Sequence, residues 1–69
     1  MSKVELSSSS IASVEYFPST QTLQVVLRNG GVYQYFDVPE PVFHEFVNAA
    51  SAGAYFNSAI KGVYRYARV

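Results

Sequence analysis

A glycine-rich turn between two β-type segments is the feature that most constrains the fold. Residues 22–27 place leucine or valine at every second position, and residues 32–36 are rich in β-branched and aromatic side chains. Asn29-Gly30-Gly31 stands between them and supplies residues that tolerate positive φ, as tight hairpin turns require. The sequence therefore predicts a β-hairpin whose second strand carries Tyr33 and Tyr35.

The direction of these two tyrosine side chains depends on the hairpin register, because a slip of one residue moves every side chain to the other face. A two-residue loop pairs Tyr33 with Val26 and exposes both tyrosines. A three-residue loop that includes Gly31 pairs Tyr33 with Leu27 and turns both rings toward the core. The second glycine favours the longer loop, so we expect a core or half-core pair.

The remaining segments predict one more strand and two helices. Residues 12–17 alternate with period two and end at Pro18, which has no N–H to donate. Apolar residues then recur at helical spacing over residues 41–50. Ser51 is suited to cap a second short helix that ends at Gly62. Residues 63–69 fit either a final edge strand or a tail lying over the core.

Together these elements predict the α+β class. We expect a three-stranded antiparallel β-meander with two C-terminal helices packed on one face, and a short final edge strand as one of the two options for the tail. The serine run at residues 7–10 indicates a flexible N-terminal arm over residues 1–10, followed by a single domain over residues 11–69. A chain of 69 residues without cysteine must rely on a small core, and its six tyrosines and five phenylalanines supply the packing.

The sequence lacks the residue patterns of catalytic and metal sites. The single histidine, His44, is expected on the solvated side of the first helix, and without cysteine no thiolate zinc site is available. No serine lies in a Gly-x-Ser-x-Gly elbow, and Gly30-Gly31 joins two strands instead of leading into a phosphate-binding helix. We therefore expect a binding module that is not an enzyme and has no metal and no cofactor.

Charge and hydropathy narrow the class of partner. The chain has no run of 18 apolar residues and no N-terminal targeting pattern, which predicts a cytoplasmic protein with no membrane association. Residues 1–45 carry five acidic and two basic side chains, whereas residues 46–69 carry three basic side chains and no acidic one. This polarity is far below the basic stripe of a dedicated nucleic-acid binder.

The ordered motifs of the chain resemble those of the KTSC domain over about residues 7–66. They are Ser8-Ser9-Ser10-Ile11, Thr22-Leu23-x-Val25-x-Leu27, Asn29-Gly30-Gly31-Val32-Tyr33-Gln34-Tyr35, Val38-Pro39, Val42-Phe43 and Ala50-Ser51-x-Gly53-x-Tyr55-Phe56-Asn57-x-x-Ile60-Lys61. The resemblance implies a domain that occurs at the C-terminus of some lysyl-tRNA synthetases and as small stand-alone bacterial proteins. Its function is not established, and RNA binding has been suggested for it.

Two binding hypotheses follow. The first is weak binding of tRNA or single-stranded RNA, in which tyrosines stack on bases and basic side chains contact phosphates. Its candidate residues are Tyr33, Tyr35, Lys61, Arg65 and Arg68. The second is a protein-protein interaction module or homodimer that uses exposed aromatic residues or an edge strand. The basic residues also fit a solubilising C-terminus, and the sequence leaves the oligomeric state open.

Overall fold

In the computed structural model, which describes residues 2–69, five antiparallel strands form one sheet in sequence order. The strands are β1 (Ser2–Glu5), β2 (Ile11–Phe17), β3 (Thr22–Leu27), β4 (Val32–Tyr35) and β5 (Tyr66–Arg68). Helices α1 (Glu40–Asn48) and α2 (Ala52–Tyr55) lie between β4 and β5 in the chain, and a π-helical turn (Phe56–Ile60) continues α2. The predicted α+β class is confirmed.

The sheet has two strands more than the predicted meander. β1 lies within the stretch predicted as an N-terminal arm, and it pairs with β2 so that Lys3 stands opposite Glu15. β5 is the final edge strand, one of the two options predicted for the tail, and it pairs with β4. Both additions are short, so their pairing with a neighbouring strand decides their conformation more than local propensity does.

The hairpin between β3 and β4 has neither of the two predicted registers. Tyr33 stands opposite Val25, because the three-residue loop comprises residues 28–30 and lies one position earlier than predicted. The amide of Gly30 donates to the Leu27 carbonyl at 3.0 Å, and Gly30 has a φ of 99°. The amide of Leu27 donates to the Gly31 carbonyl at 2.8 Å. The longer loop predicts Tyr33 opposite Leu27, which is two positions away from the observed partner Val25. A shift of two positions keeps a side chain on the same face of the sheet, so both tyrosines lie on the predicted, helix-facing side.

A bulge in β2 changes which residues of that strand enter the core. The pairing with β3 shifts between Ile11 and Ser13, leaving Ala12 as the extra residue. Ile11 is therefore buried together with Val14, whereas the period-two alternation over residues 12–17 places Ala12 on the same face as Val14.

α1 and the π-helical turn that continues α2 pack on one face of the sheet, whereas α2 itself has no buried residue. Phe43 of α1 stacks on Tyr16 with ring centroids 5.2 Å apart, and Phe46 stacks on Phe56 at 6.1 Å. The predicted cap is also present, since the Ser51 hydroxyl accepts from the amide of Ala54 at 3.2 Å. The buried core comprises Ile11, Val14, Tyr16, Leu23, Val25, Tyr35, Val38, Phe43, Phe46, Phe56 and Ile60. None of the helices in residues 2–69 combines the length and apolar character needed to cross a bilayer.

One buried hydrogen bond connects the sheet to the segment that enters α1. The Tyr16 hydroxyl donates to the Val38 carbonyl at 2.6 Å, within the core. Burial raises the pKa of Tyr16, and the nearby Glu40 carboxylate adds to this effect. The Tyr16 hydroxyl therefore stays protonated and can donate to the Val38 carbonyl. Without this donor, the carbonyl would be buried away from water with an unsatisfied hydrogen-bonding group.

We expect Gly30→Ala to lower the free energy of unfolding by about 1–2 kcal/mol, because a Cβ is strained in the left-handed region. Chemical denaturation monitored by circular dichroism measures this change. Gly30→Asn is the control and should lose clearly less, since asparagine tolerates positive φ. Equal losses for the two variants would show that backbone conformation is not the constraint at this position.

We expect Tyr16→Phe to lower the free energy of unfolding by about 1–3 kcal/mol, because it leaves the Val38 carbonyl buried without a donor. Tyr64→Phe is the matched control, since the Tyr64 hydroxyl makes no hydrogen bond within residues 2–69, and its effect should stay within about 0.5 kcal/mol. Denaturation midpoints of the two variants provide the comparison. Indistinguishable midpoints would contradict a stabilising role for this hydrogen bond.

Candidate functional site

An aromatic cleft of about 310 Å³ opens between the C-terminal half of the sheet and the π-helical turn. We define it by its lining residues, which are Leu27, Tyr33, Tyr35, Phe56, Lys61, Gly62 and Tyr66. β4 supplies two of the tyrosines and β5 the third, while the π-helical turn and the residues after it supply the opposite wall. The cleft thus depends on β5, the strand that the sequence predicted only as an alternative.

The tyrosines of the aromatic cleft differ in their roles. Tyr35 is 3% exposed and packs edge-on against Phe56 with ring centroids 5.6 Å apart, so it forms the floor. Burial raises the pKa of Tyr35, and the neighbouring Tyr33 and Tyr66 add to the effect. Tyr66 is 60% exposed and lies 5.6 Å from the Tyr35 ring. A planar ligand therefore has access to the Tyr66 ring but not to the faces of Tyr35.

Arg68 borders the aromatic cleft on the side of the edge strand. It stands opposite Tyr33 in the pairing of β4 with β5, and its guanidinium carbon lies 5.7 Å from the centroid of the Tyr33 ring. This distance is typical of a cation–π contact. The half-buried Tyr33 ring also lies beside Tyr66, with the two ring centroids 5.9 Å apart. Tyr33 therefore adjoins both the positive charge of Arg68 and the exposed ring of Tyr66.

The π-helical turn fixes Lys61 at the other end of the aromatic cleft. The amide of Lys61 donates to the Phe56 carbonyl at 2.8 Å, a spacing of five residues that widens the last turn. Such π-type turns are rare and occur frequently at functional sites. Gly62 follows with a φ of 81° and ends the helix at the predicted glycine. The backbone of Lys61 is thereby held in place while its side chain remains exposed.

A second, more polar cleft of about 300 Å³ adjoins the first. The residues common to both clefts are Leu27, Phe56 and Lys61. The polar side chains that line the second cleft are Ser9, Ser10, Arg28, Asn29, Asn57 and Lys61. We call this space the polar cleft, and we call the two clefts together the composite groove.

The serine run forms an ordered wall of the polar cleft. The Ser8 hydroxyl accepts from the amides of Ser10 at 3.2 Å and of Ile11 at 3.3 Å. Arg28 holds the same segment from the hairpin loop, since its Nε donates to the Ser8 carbonyl at 2.6 Å and its Nη2 to the Leu6 carbonyl at 2.7 Å. A Cβ at Gly53 would lie 3.0 Å from the Ser10 hydroxyl, so α2 approaches this wall closely.

The charges of the chain are unevenly distributed around the composite groove. Arg28, Lys61 and Arg68 border it, and none of them forms an ion pair with a carboxylate within residues 2–69. No acidic side chain lines either cleft. Arg65 lies elsewhere, since it pairs with Asp37 at 2.7 Å and covers the Phe36 ring. The groove is therefore positive although the chain as a whole has a net charge of zero.

The structure thus brings together four of the five predicted site residues. Tyr33, Tyr35 and Lys61 line the aromatic cleft and Arg68 borders it, whereas Arg65 does not contribute. Sequence reasoning missed Tyr66 and Arg28. Tyr66 and Arg68 are two positions apart, so they lie on the same face once residues 66–68 are assigned to a strand. Arg28 has no comparable signal in the sequence, because its position depends on contacts with the serine run.

Metal chemistry has no support in the described part of the chain. In residues 2–69 no three histidine, aspartate or glutamate side chains come together as a metal ion requires. His44 lies on the exposed side of α1, where it contacts Glu40 at 3.3 Å, four residues earlier in the helix.

Comparison with known proteins shows relatives of two sizes. A lysine-tRNA ligase of Nostoc sp. is 45% identical over 56 residues, which cover 81% of this chain but 10% of the ligase. The chain therefore spans about a tenth of the length of that relative. A protein of Stutzerimonas stutzeri is 40% identical over 70 residues and matches along 99% of its own length.

Structure and family comparisons agree with each other. The crystal structure of a KTSC domain protein from Yersinia pestis superimposes with a TM-score of 0.94 at 35% identity, covering 99% of this chain and 96% of the other. The sequence model of the KTSC domain matches residues 7–69. This chain therefore belongs to the KTSC domain family, as its ordered motifs predicted.

Proposed function

We propose that the chain is a non-catalytic module that binds single-stranded RNA weakly through the composite groove. The observation that carries this proposal is the position of three basic side chains, Arg28, Lys61 and Arg68, around the composite groove, which includes the exposed ring of Tyr66. None of the three has a carboxylate partner within residues 2–69. An RNA ligand would place the protein in the cytoplasm, and it requires neither a metal ion nor a cofactor.

The aromatic cleft supports recognition of an unpaired base. The exposed ring of Tyr66 offers a stacking surface, and Tyr33 with Arg68 offers a cation and a π face beside it. Stacking of one base on an aromatic side chain contributes about 1–3 kcal/mol and tolerates different bases. A single such platform supports weak binding with little sequence preference. Tyr35 contributes by supporting the platform from beneath, since its ring is buried.

The number of basic residues sets the expected salt dependence. Each phosphate neutralised on a single strand contributes about −0.7 to the slope of the logarithm of affinity against the logarithm of salt concentration. Three basic side chains therefore give a slope of about −2. This is a modest value, consistent with a chain whose overall charge gives no long-range attraction.

The lysine-tRNA ligases among the relatives make tRNA one candidate RNA ligand. Several of the similar proteins are lysine-tRNA ligases in which the matching segment is a small part of the whole. A weak RNA-binding module is useful beside a catalytic domain because tethering raises the effective concentration of the second site.

We expect Tyr66→Leu and Arg68→Gln each to weaken binding of a fluorescein-labelled single-stranded oligouridine by about five- to tenfold, since each removes one contact worth about 1 kcal/mol. Arg65→Gln is the matched control for Arg68→Gln, because it removes the same charge at a position paired with Asp37 outside the groove. Its effect should stay below twofold. Fluorescence anisotropy measures the affinities, and thermal melting confirms that each variant is folded.

A parallel titration with tRNA tests the same surface with a natural RNA. Equal weakening by Arg65→Gln and Arg68→Gln would show that general charge, not the groove, attracts RNA. Affinity that does not change between low and moderate salt would also contradict the proposal.

Protein association is the second candidate function, favoured by the edge strand β5. Val63, Tyr66 and Val69 are 61%, 60% and 64% exposed, and β5 has a free edge for pairing within the described sheet. Light scattering coupled to size-exclusion chromatography distinguishes this function from RNA binding. If the protein is a dimer and the Val69→Asp variant is a monomer, protein association through β5 is supported. A protein that stays monomeric at high concentration would contradict the homodimer.

A further inference from the structure

We infer that the polar cleft is a phosphate-binding site for the nucleotide whose base lies in the aromatic cleft. This inference rests on the proposed function and adds a phosphoryl group as the second chemical feature that the groove recognises. The two clefts share Leu27, Phe56 and Lys61, so their contents are direct neighbours. A base and the phosphate of the same nucleotide are likewise close, since a single ribose joins them.

Two side chains that line the polar cleft, Arg28 and Asn29, are held by hydrogen bonds that leave one donor nitrogen of each without a partner within residues 2–69. Arg28 uses Nε and Nη2 on the Leu6 and Ser8 carbonyls, which leaves Nη1 without a partner in residues 2–69. Asn29 accepts from the Gly31 amide at 2.9 Å through Oδ1, which leaves the donor Nδ2 without a partner in the same range. Fixed donors bind an anion with less loss of conformational entropy than mobile ones.

The charge of the polar cleft selects an anion. Arg28 and Lys61 both line it, no acidic side chain does, and neither basic residue has an ion-pair partner within the described chain. Ser9, Ser10 and Asn57 add neutral hydrogen-bonding groups. Arginine, lysine and neutral donors together form the set that suits phosphate oxygens. The aromatic cleft differs in its lining, which has three tyrosines and Lys61 as its one charged side chain among the described residues.

The phosphoryl group has two sources, a terminal phosphate monoester and an internal phosphodiester, and the ligands of the test separate them. We propose chemical-shift titrations of the labelled protein with uridine, uridine 5′-monophosphate, the dinucleotide UpU and inorganic phosphate. Side-chain amide resonances of Asn29 and Asn57 report on the polar cleft, and ring resonances of Tyr66 report on the aromatic cleft. We expect uridine to shift Tyr66 alone and either phosphorylated ligand to shift both sets. Tighter binding of the monophosphate than of UpU would identify a terminal phosphate, and the reverse an internal one.

Lys61→Gln tests the charge with little risk to folding, because the side chain of Lys61 makes no hydrogen bond in residues 2–69. We expect it to weaken uridine 5′-monophosphate binding by about tenfold, the loss typical of one charge-assisted hydrogen bond. Uridine binding should weaken much less, because uridine carries no phosphate and meets Lys61 only where this residue lines the aromatic cleft. Lys3→Gln is the matched control, since Lys3 lies on β1, outside the composite groove. Its effect should stay below twofold.

The outcomes distinguish failure of the phosphate site from failure of RNA binding. If oligouridine binds but Lys61→Gln acts no more strongly than Lys3→Gln, or if the phosphorylated ligands leave Asn29 and Asn57 unshifted, the phosphate site is disproved and the proposed function stands. If inorganic phosphate shifts Asn29 but no RNA or nucleotide binds, the cleft is an anion site and the proposed function is disproved, together with the nucleotide part of this inference.

Discussion

The register of β4 is the constraint on which the rest of the structure depends. Gly30 takes a positive φ and closes a three-residue loop, so Tyr33 and Tyr35 face the same side of the sheet as the helices. Tyr35 then fills the core and supports the aromatic cleft. β4 also presents its outer edge to β5, and this pairing alone places Tyr66 and Arg68 beside the two tyrosines. A register shifted by one residue would expose both β4 tyrosines and remove the cleft.

Net charge gives little information about binding in so small a protein, because the positions of the charges matter more than their sum. Five basic and five acidic residues cancel. However, Arg65 pairs with Asp37, and Lys3 stands opposite Glu15 in the sheet. The other three basic side chains converge on one groove whose lining contains no carboxylate. A local positive potential therefore exists without long-range attraction, which favours weak association that depends on contact.

The sequence predicted the elements whose signals are local. The hairpin, the amphipathic helix, the Ser51 cap and the closing glycine all follow from spacing and residue type. The position of the loop did not follow, because Gly30 and Gly31 both tolerate positive φ and only the observed hydrogen bonds select the first. β1 was missed for a related reason: a polar edge strand is specified by the neighbour with which it pairs. The sequence also did not reveal that Arg65 lies apart from the other candidate residues, because its ion pair with Asp37 joins residues that are distant in sequence.

The serine run shows how one set of contacts serves both stability and the proposed site. It looked too polar to pack, yet Ser8 satisfies two backbone amides and Arg28 bonds two carbonyls of the same region. These bonds tie the N-terminal segment to the hairpin loop, and they also hold the Arg28 guanidinium in one orientation. Because the guanidinium has five N–H donors in a rigid fork, two of its nitrogens can support the fold while the third remains free for a ligand. Lysine at this position would keep the charge but not this division of roles, so the arginine is specified by geometry and not by charge alone.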